Sequence, residues 1–151
     1  MGKALVARRN ALFGEPESIA PGDVVHFTLG EVGVTGDLSD RWVVLHRKAC
    51  EAFVRLVKAW SDADAWRHVQ TFDRSYDPAQ VRPGRWGAHA WGNAFDLNTQ
   101  WNPLCSDGAE RGKIGSTYEL EEVARRVGWT CGRSFFVGRA ARHFEYLREA
   151  E

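Results

Sequence analysis

The stretch WGAHAWGNAFDLNTQWNPL, residues 86–104, sets His89 and Asp96 seven residues apart in a run dense in Gly, Asn and Trp. Ala94, Phe95 and Leu97 mark a strand, with Asp96 on the face opposite its two apolar neighbours. A carboxylate aimed into a cleft from a strand requires a cation to offset its desolvation. Gly92 permits a close or left-handed backbone bend between His89 and Asp96. Asn98 and Asn102 are suited to tie down the following loop through side-chain bonds to backbone.

A lone pair at this spacing is weak evidence, because a plain structural histidine explains His89 as well. A second cluster, ARHFEY at 141–146, strengthens it. There His143, Glu145 and Leu147 alternate with Phe144 and Tyr146, which is the period of a strand. His89, Asp96 and His143 supply two imidazoles and a carboxylate, ligands of the kinds Zn²⁺ accepts, with a fourth position left for water. The expectation is a catalytic-type zinc site with Zn²⁺ as cofactor. Such chemistry needs a positioned carboxylate to move a proton. Glu145 is the nearest by sequence, and it is equally suited to accept from the free N–H of a ligand imidazole.

Outward from these clusters the chain divides by period and punctuation. Residues 1–20 form a mixed segment whose Arg8–Arg9 pair reads as solvated surface, followed by loop at Pro16, Pro21 and Gly22. VVHFTLG at 24–30 reads as a strand, with His26 a partly buried structural histidine. GEVGVTGDLSDR, 30–41, reads as turns. From Trp42 to Trp60 apolar residues recur largely at three- and four-residue steps, predicting one long core helix capped by Ser39 or Asp40. His46 and His68 have no partner at ligand spacing and are expected to be structural or at the surface. QTFDRSY, 70–76, has a strand-like centre. DPAQVRPGRWG, 77–87, reads as an irregular loop carrying Arg82 and Arg85, either solvated or holding a substrate carboxylate or carbonyl. Ser116 and Glu119 have capping-box spacing ahead of LEEVARRVG, a helix that Gly128 should end. FFV at 135–137 has strand character.

The chain of 151 residues is expected to be one domain, 1–151, with an ample core. Twenty basic and twenty acidic residues leave no net charge, which argues against nucleic acid or an anionic membrane surface as a bulk electrostatic partner. Balanced charge and sufficient core call for no partner subunit, so a monomer is expected. Seven Trp residues read as core, or as an aromatic groove. Cys50, Cys105 and Cys131 suit neither a disulfide framework nor a metal knuckle. Cys50 reads as a buried helix residue. MGKALVARRN lacks the hydrophobic segment of a secretory signal, and no apolar run approaches membrane-spanning length. The chain is therefore expected to fold in the cytoplasm of the producing cell without membrane insertion.

HAWGNAFDLN at 89–98, GW at 128–129 and HFE at 143–145 together resemble the zinc peptidases that include D-alanyl-D-alanine carboxypeptidases and the L-alanyl-D-glutamate endopeptidases of phage endolysins. The resemblance covers about residues 70–147. It implies a small α+β domain with a central antiparallel sheet, a fold shared with the signalling domain of hedgehog proteins. It also implies zinc on His89, Asp96 and His143, and bacterial cell-wall peptides as substrates. An Arg ahead of the first motif steadies substrate in that family, and Arg82 is the nearest match. Action on the wall would then require delivery or release by another system.

Three positions depart from the pattern. Gly87 stands where the family usually has Ser, and Ala79 where an Arg often falls. Ala140 occupies the place of the general acid/base, a Glu or Asp three residues before the last ligand. Alanine cannot transfer a proton. Either an inactivating substitution stands at 140, the account favoured by an otherwise complete ligand set, or the natural chain binds without cleaving or uses Glu145. The expected function is a zinc peptidase of peptidoglycan stem peptides. The alternative is a non-hydrolytic module that binds peptidoglycan or protein, and structural zinc alone is disfavoured for want of a fourth protein ligand. Whether the enzyme would be a carboxypeptidase or an endopeptidase turns on loops 77–87 and 104–116.

Overall fold

Strand β6, Ala94–Leu97, is an inner strand of a four-stranded antiparallel sheet in the order β3-β6-β8-β7. Its neighbours are β3, Phe72–Arg74, and β8, Ala140–Tyr146, with β7, Trp129–Gly132, beyond β8. The computed structural model describes residues 2–135 and 138–147. Three helices complete the α+β domain: α1 (Lys3–Phe13), α2 (Arg47–Asp62) and α3 (Tyr118–Arg126). A separate pair, β1 (Val24–Thr28) with β2 (Trp42–His46), leads directly into α2. No helix among the described residues is long and apolar enough to cross a membrane.

The core lies between the sheet and helices α2 and α3, and its centre is aromatic. Phe95 stacks on Phe144 with ring centroids 5.5 Å apart and on Phe72 at 5.1 Å, and Phe53 of α2 meets it edge-on. Trp60 and Trp129 are fully buried with their indole N–H groups bonded to the carbonyls of Leu120 and Ala52. A buried Trp needs such a partner. Of the seven Trp residues, Trp60, Trp91 and Trp129 are core, Trp66, Trp86 and Trp101 are half-buried, and Trp42 is exposed at the edge of the small sheet.

Several expectations are met. Strands form at 24–28, 72–74, 94–97 and 140–146, and turns fill 30–41. The Asn98 carboxamide accepts from the N–H groups of Gln70 and Thr71 and donates to the His68 carbonyl, while Asn102 donates to Asn98 and Gly115. Gly92 takes a left-handed φ of 72°, and a Cβ there would stand 2.7 Å from the His46 amide. That amide donates to the Gly92 carbonyl, fastening the motif loop to the start of α2.

Other expectations are corrected. The long helix over 42–60 is a strand followed by a helix. Val43 and Leu45 point into the core and alternate with Trp42 and Val44, a two-residue period that the β-branched valines favour. The helix begins at Arg47 and is capped by His46, whose Nδ1 accepts from the Lys48 amide, rather than by Ser39 or Asp40. Cys50 is half-buried, not buried. His26 is exposed because it lies on the outer face of β1. Residues 3–13 are helical, and of the Arg pair only Arg8 is solvated; Arg9 is fully buried. The loop 77–87 holds a short hairpin, β4 (Gln80–Arg82) and β5 (Arg85–Trp86), turned at Pro83–Gly84 with φ 74° at Gly84. Ser116 and Glu119 bond to each other side chain to side chain, and Thr117, one residue later, occupies the cap position. Of the FFV segment, residues 136–137 lie outside the described residues.

Candidate metal centre

The β6–β8 register builds the site. Phe95 pairs with Phe144 and Asp96 with His143. Because side chains alternate across a sheet, the two Phe rings enter the core while Asp96 and His143 meet on the other face. His89 arrives from the single 3₁₀ turn Ala88–Trp91, which Gly92 bends back towards β6.

All three side chains are buried, and their ligand atoms lie within 4.8 Å of one another. His89 Nε2 is 3.1 Å and His143 Nδ1 3.0 Å from the same oxygen, Asp96 Oδ1. The far ring nitrogen of His143, Nε2, is 3.0 Å from Glu145 Oε1. Glu145 is itself forked by Arg9, whose Nε donates to Oε2 at 3.0 Å and whose terminal nitrogen donates to Oε1. The Arg9 guanidinium also lies 5.0 Å over the Trp91 ring, and Trp91 donates to Asn10. Helix α1 thus packs against the site through Arg9 and Asn10. His89 Nδ1 is buried with no hydrogen-bond partner among the described residues.

The electrostatics favour a cation. Burial works against charge on Asp96, yet hydrogen bonds and charge interactions with His143 and His89 win and hold its carboxyl far below the ordinary range. Burial likewise opposes a charged His143, but its bonds to Asp96 and Glu145 push it up to about 9. Glu145 is held below the usual carboxylate range, its burial outweighed by His143 and Arg9. Two buried carboxylates are thus balanced by Arg9 and an imidazolium. A divalent cation between the imidazoles and Asp96 would take the place of that imidazolium's proton. The donor set, its convergence and the outer carboxylate on one imidazole all fit a metal ion.

The cluster forms one wall of a cleft of about 610 Å³. Val81 and Leu104, both more than half exposed, flank it, and Arg85, Trp86, Arg139 and Cys105 contribute to its lining. Ala140 lines it too. Strict alternation would put residues 140 and 143 on opposite faces. The register between β7 and β8 slips between Cys131 and Gly132, with Cys131 opposite Phe144 and Gly132 opposite Ala140. This bulge turns both residues toward the cleft.

The other expected site residues fall elsewhere. Arg82 is exposed on β4, and Arg85 rather than Arg82 borders the cleft. Glu145 is completely buried behind His143 with both oxygens engaged, so it takes the outer-acceptor position of the two foreseen for it. Sequence reasoning put Arg9 at the solvated surface and gave it no place in the site, since its partner is 136 residues away and the helix around it shows no apolar stripe. It also left Cys105 without a role. That thiol is exposed at the cleft, whereas Cys131 is buried and pushed up to about 12 by its burial, which makes it unreactive.

Comparison with known proteins returned no match to this chain from family models, curated proteins or solved structures.

Proposed function

We propose that the chain is a zinc peptidase domain for peptidoglycan stem peptides with alanine in the acid/base position. The observation that carries this reading is the convergence of His89, His143 and Asp96 on one point in the wall of an open cleft. The likeness of HAWGNAFDLN, GW and HFE to the zinc carboxypeptidase and endolysin endopeptidase motifs supports it.

His89, Asp96 and His143 would hold the zinc. When bound, zinc supplies Lewis acidity towards water and a peptide carbonyl. The chain's own groups do the rest. Glu145 orients the His143 ring. Val81 and Leu104 offer apolar contact to a peptide lying in the cleft, and Arg85 offers a cation to its carboxylates. A carboxylate at position 140 would take the proton from the attacking water and pass it to the leaving amine. Ala140 leaves that transfer without a group, and Glu145, turned away and fully engaged, does not replace it. Phage or prophage origin and delivery to the wall by another system complete the proposal.

A second reading, a zinc-containing module that binds wall peptides or protein without cleaving, draws on the same absence of a carboxylate at 140. Ala140→Glu separates the two. With purified cell wall and zinc, this variant is expected to release new amino termini or D-alanine that the unaltered chain does not. If it binds zinc normally and releases neither, the peptidase reading fails and the binding module stands.

A further inference from the structure

Arg9 and Glu145 form an ion pair with side-chain exposures of 1 % and 0 %. A buried pair of this kind contributes little net stability, because desolvating both charges cancels most of their attraction. As far as their mutual attraction goes, two well-packed apolar side chains often serve a fold as well. The pair does something that apolar residues cannot: it presents a fixed carboxylate to His143 Nε2 at 3.0 Å. With that nitrogen donating to Glu145, the ring can turn only Nδ1 toward Asp96, where it lies at 3.0 Å. Arg9 also stacks on Trp91, the last residue of the turn that carries His89. One guanidinium therefore braces both histidine-bearing elements, from a helix at the opposite end of the sequence.

We propose that Arg9 is a positioning residue of the metal centre, setting the orientation and hydrogen placement of His143 through Glu145. The proposal rests on the reading that His89, Asp96 and His143 bind a metal. It assigns helix α1 to the site rather than to the scaffold, so zinc affinity depends on a segment outside both ligand motifs.

The test measures zinc affinity of the whole chain by competition with a chelator, and the visible absorption of the cobalt-substituted protein. The proteins are the unaltered chain, Arg9→Ala, Arg9→Lys, Glu145→Gln and the Arg9→Ala/Glu145→Gln double variant. Loss of an outer partner of this kind weakens metal binding roughly ten- to a hundred-fold. Arg9→Ala and Glu145→Gln are each expected to fall in that range with altered cobalt bands. Arg9→Lys, which keeps the charge without the fork, is expected between Arg9→Ala and the unaltered chain. The double variant is expected to be no weaker than the weaker single one, because both act through one contact. If Arg9→Ala does not fold, Arg9→Lys and Glu145→Gln decide. Unchanged affinity and cobalt spectrum in folded variants overturn the proposal while leaving the metal site intact. If the unaltered chain binds neither metal, the site reading fails and this inference with it.

Discussion

Asp96→Ala is expected to abolish stoichiometric zinc binding, with an affinity loss larger than the roughly ten- to a hundred-fold cost of removing an outer partner. The reason is geometric. Asp96 Oδ1 is the atom on which both imidazoles converge, from His89 at 3.1 Å and His143 at 3.0 Å. Without it two neutral donors remain, and no anion among them offsets the charge of a divalent cation. The fold should survive, because Phe95 and Leu97 on either side hold β6 in the core. The metal-free protein should nevertheless lose stability, since the Asp96 carboxyl is held far below its ordinary range in the folded state. That contribution is present above the unfolded carboxylate pKa and is lost as pH falls toward the folded value. At neutral pH the loss should therefore appear in full. Chelator competition and thermal melts of the metal-free forms check both parts. Asp96→Asn, which keeps the shape and removes the charge, should bind zinc poorly as well; wild-type affinity in either variant contradicts the ligand assignment.

Phe95→Ala is expected to cost about 3–5 kcal/mol of folding stability, the usual range for truncating a buried Phe. Domains are stable by only about 5–15 kcal/mol, so the loss takes a large share of the total. Phe95 is wholly inaccessible and touches five aromatic rings: Phe53, Trp60, Phe72, Trp129 and Phe144, at centroid distances of 5.5, 6.1, 5.1, 5.3 and 5.5 Å. These neighbours come from β3, β7, β8 and from the middle and the C-terminal end of the buried face of α2, so no single movement can close the cavity. Its strand neighbour is Asp96, which pairs with His143 on the opposite face just as Phe95 pairs with Phe144. Urea unfolding should give the full loss with a cooperative transition. A loss below about 1 kcal/mol would mean that the aromatic cluster is not the centre of the core.

The two motifs that the fold brings together as a candidate metal site were legible because strand period and ligand chemistry agree in them. Asp96 breaks an apolar strand, and His143 and Glu145 share a face in HFEYL. Gly92, Asn98 and Asn102 were legible for the same reason, each being a residue type with one conformational or bonding specialty that the loop uses. The strand hidden in 42–60 was not. Val43 and Leu45 satisfy the steps of a helix as readily as those of a strand, and only pairing with β1 decides between them. Arg9 was invisible because a charged residue in a short helix without an apolar face looks solvated until its distant partner is known. Ala140 was placed beside the site by the resemblance alone, because the bulge that turns it into the cleft is one that no local pattern announces. In each case the missing information is a long-range contact, which period and propensity do not carry.

The most direct test of the metal centre is elemental analysis of the purified chain after saturation with zinc and removal of excess, with Asp96→Ala alongside. About one zinc per unaltered chain and none in Asp96→Ala is the predicted result, since three protein ligands and an open position make one complete site. No retained zinc in the unaltered chain, or equal zinc in both proteins, contradicts the assignment of His89, Asp96 and His143 as its ligands.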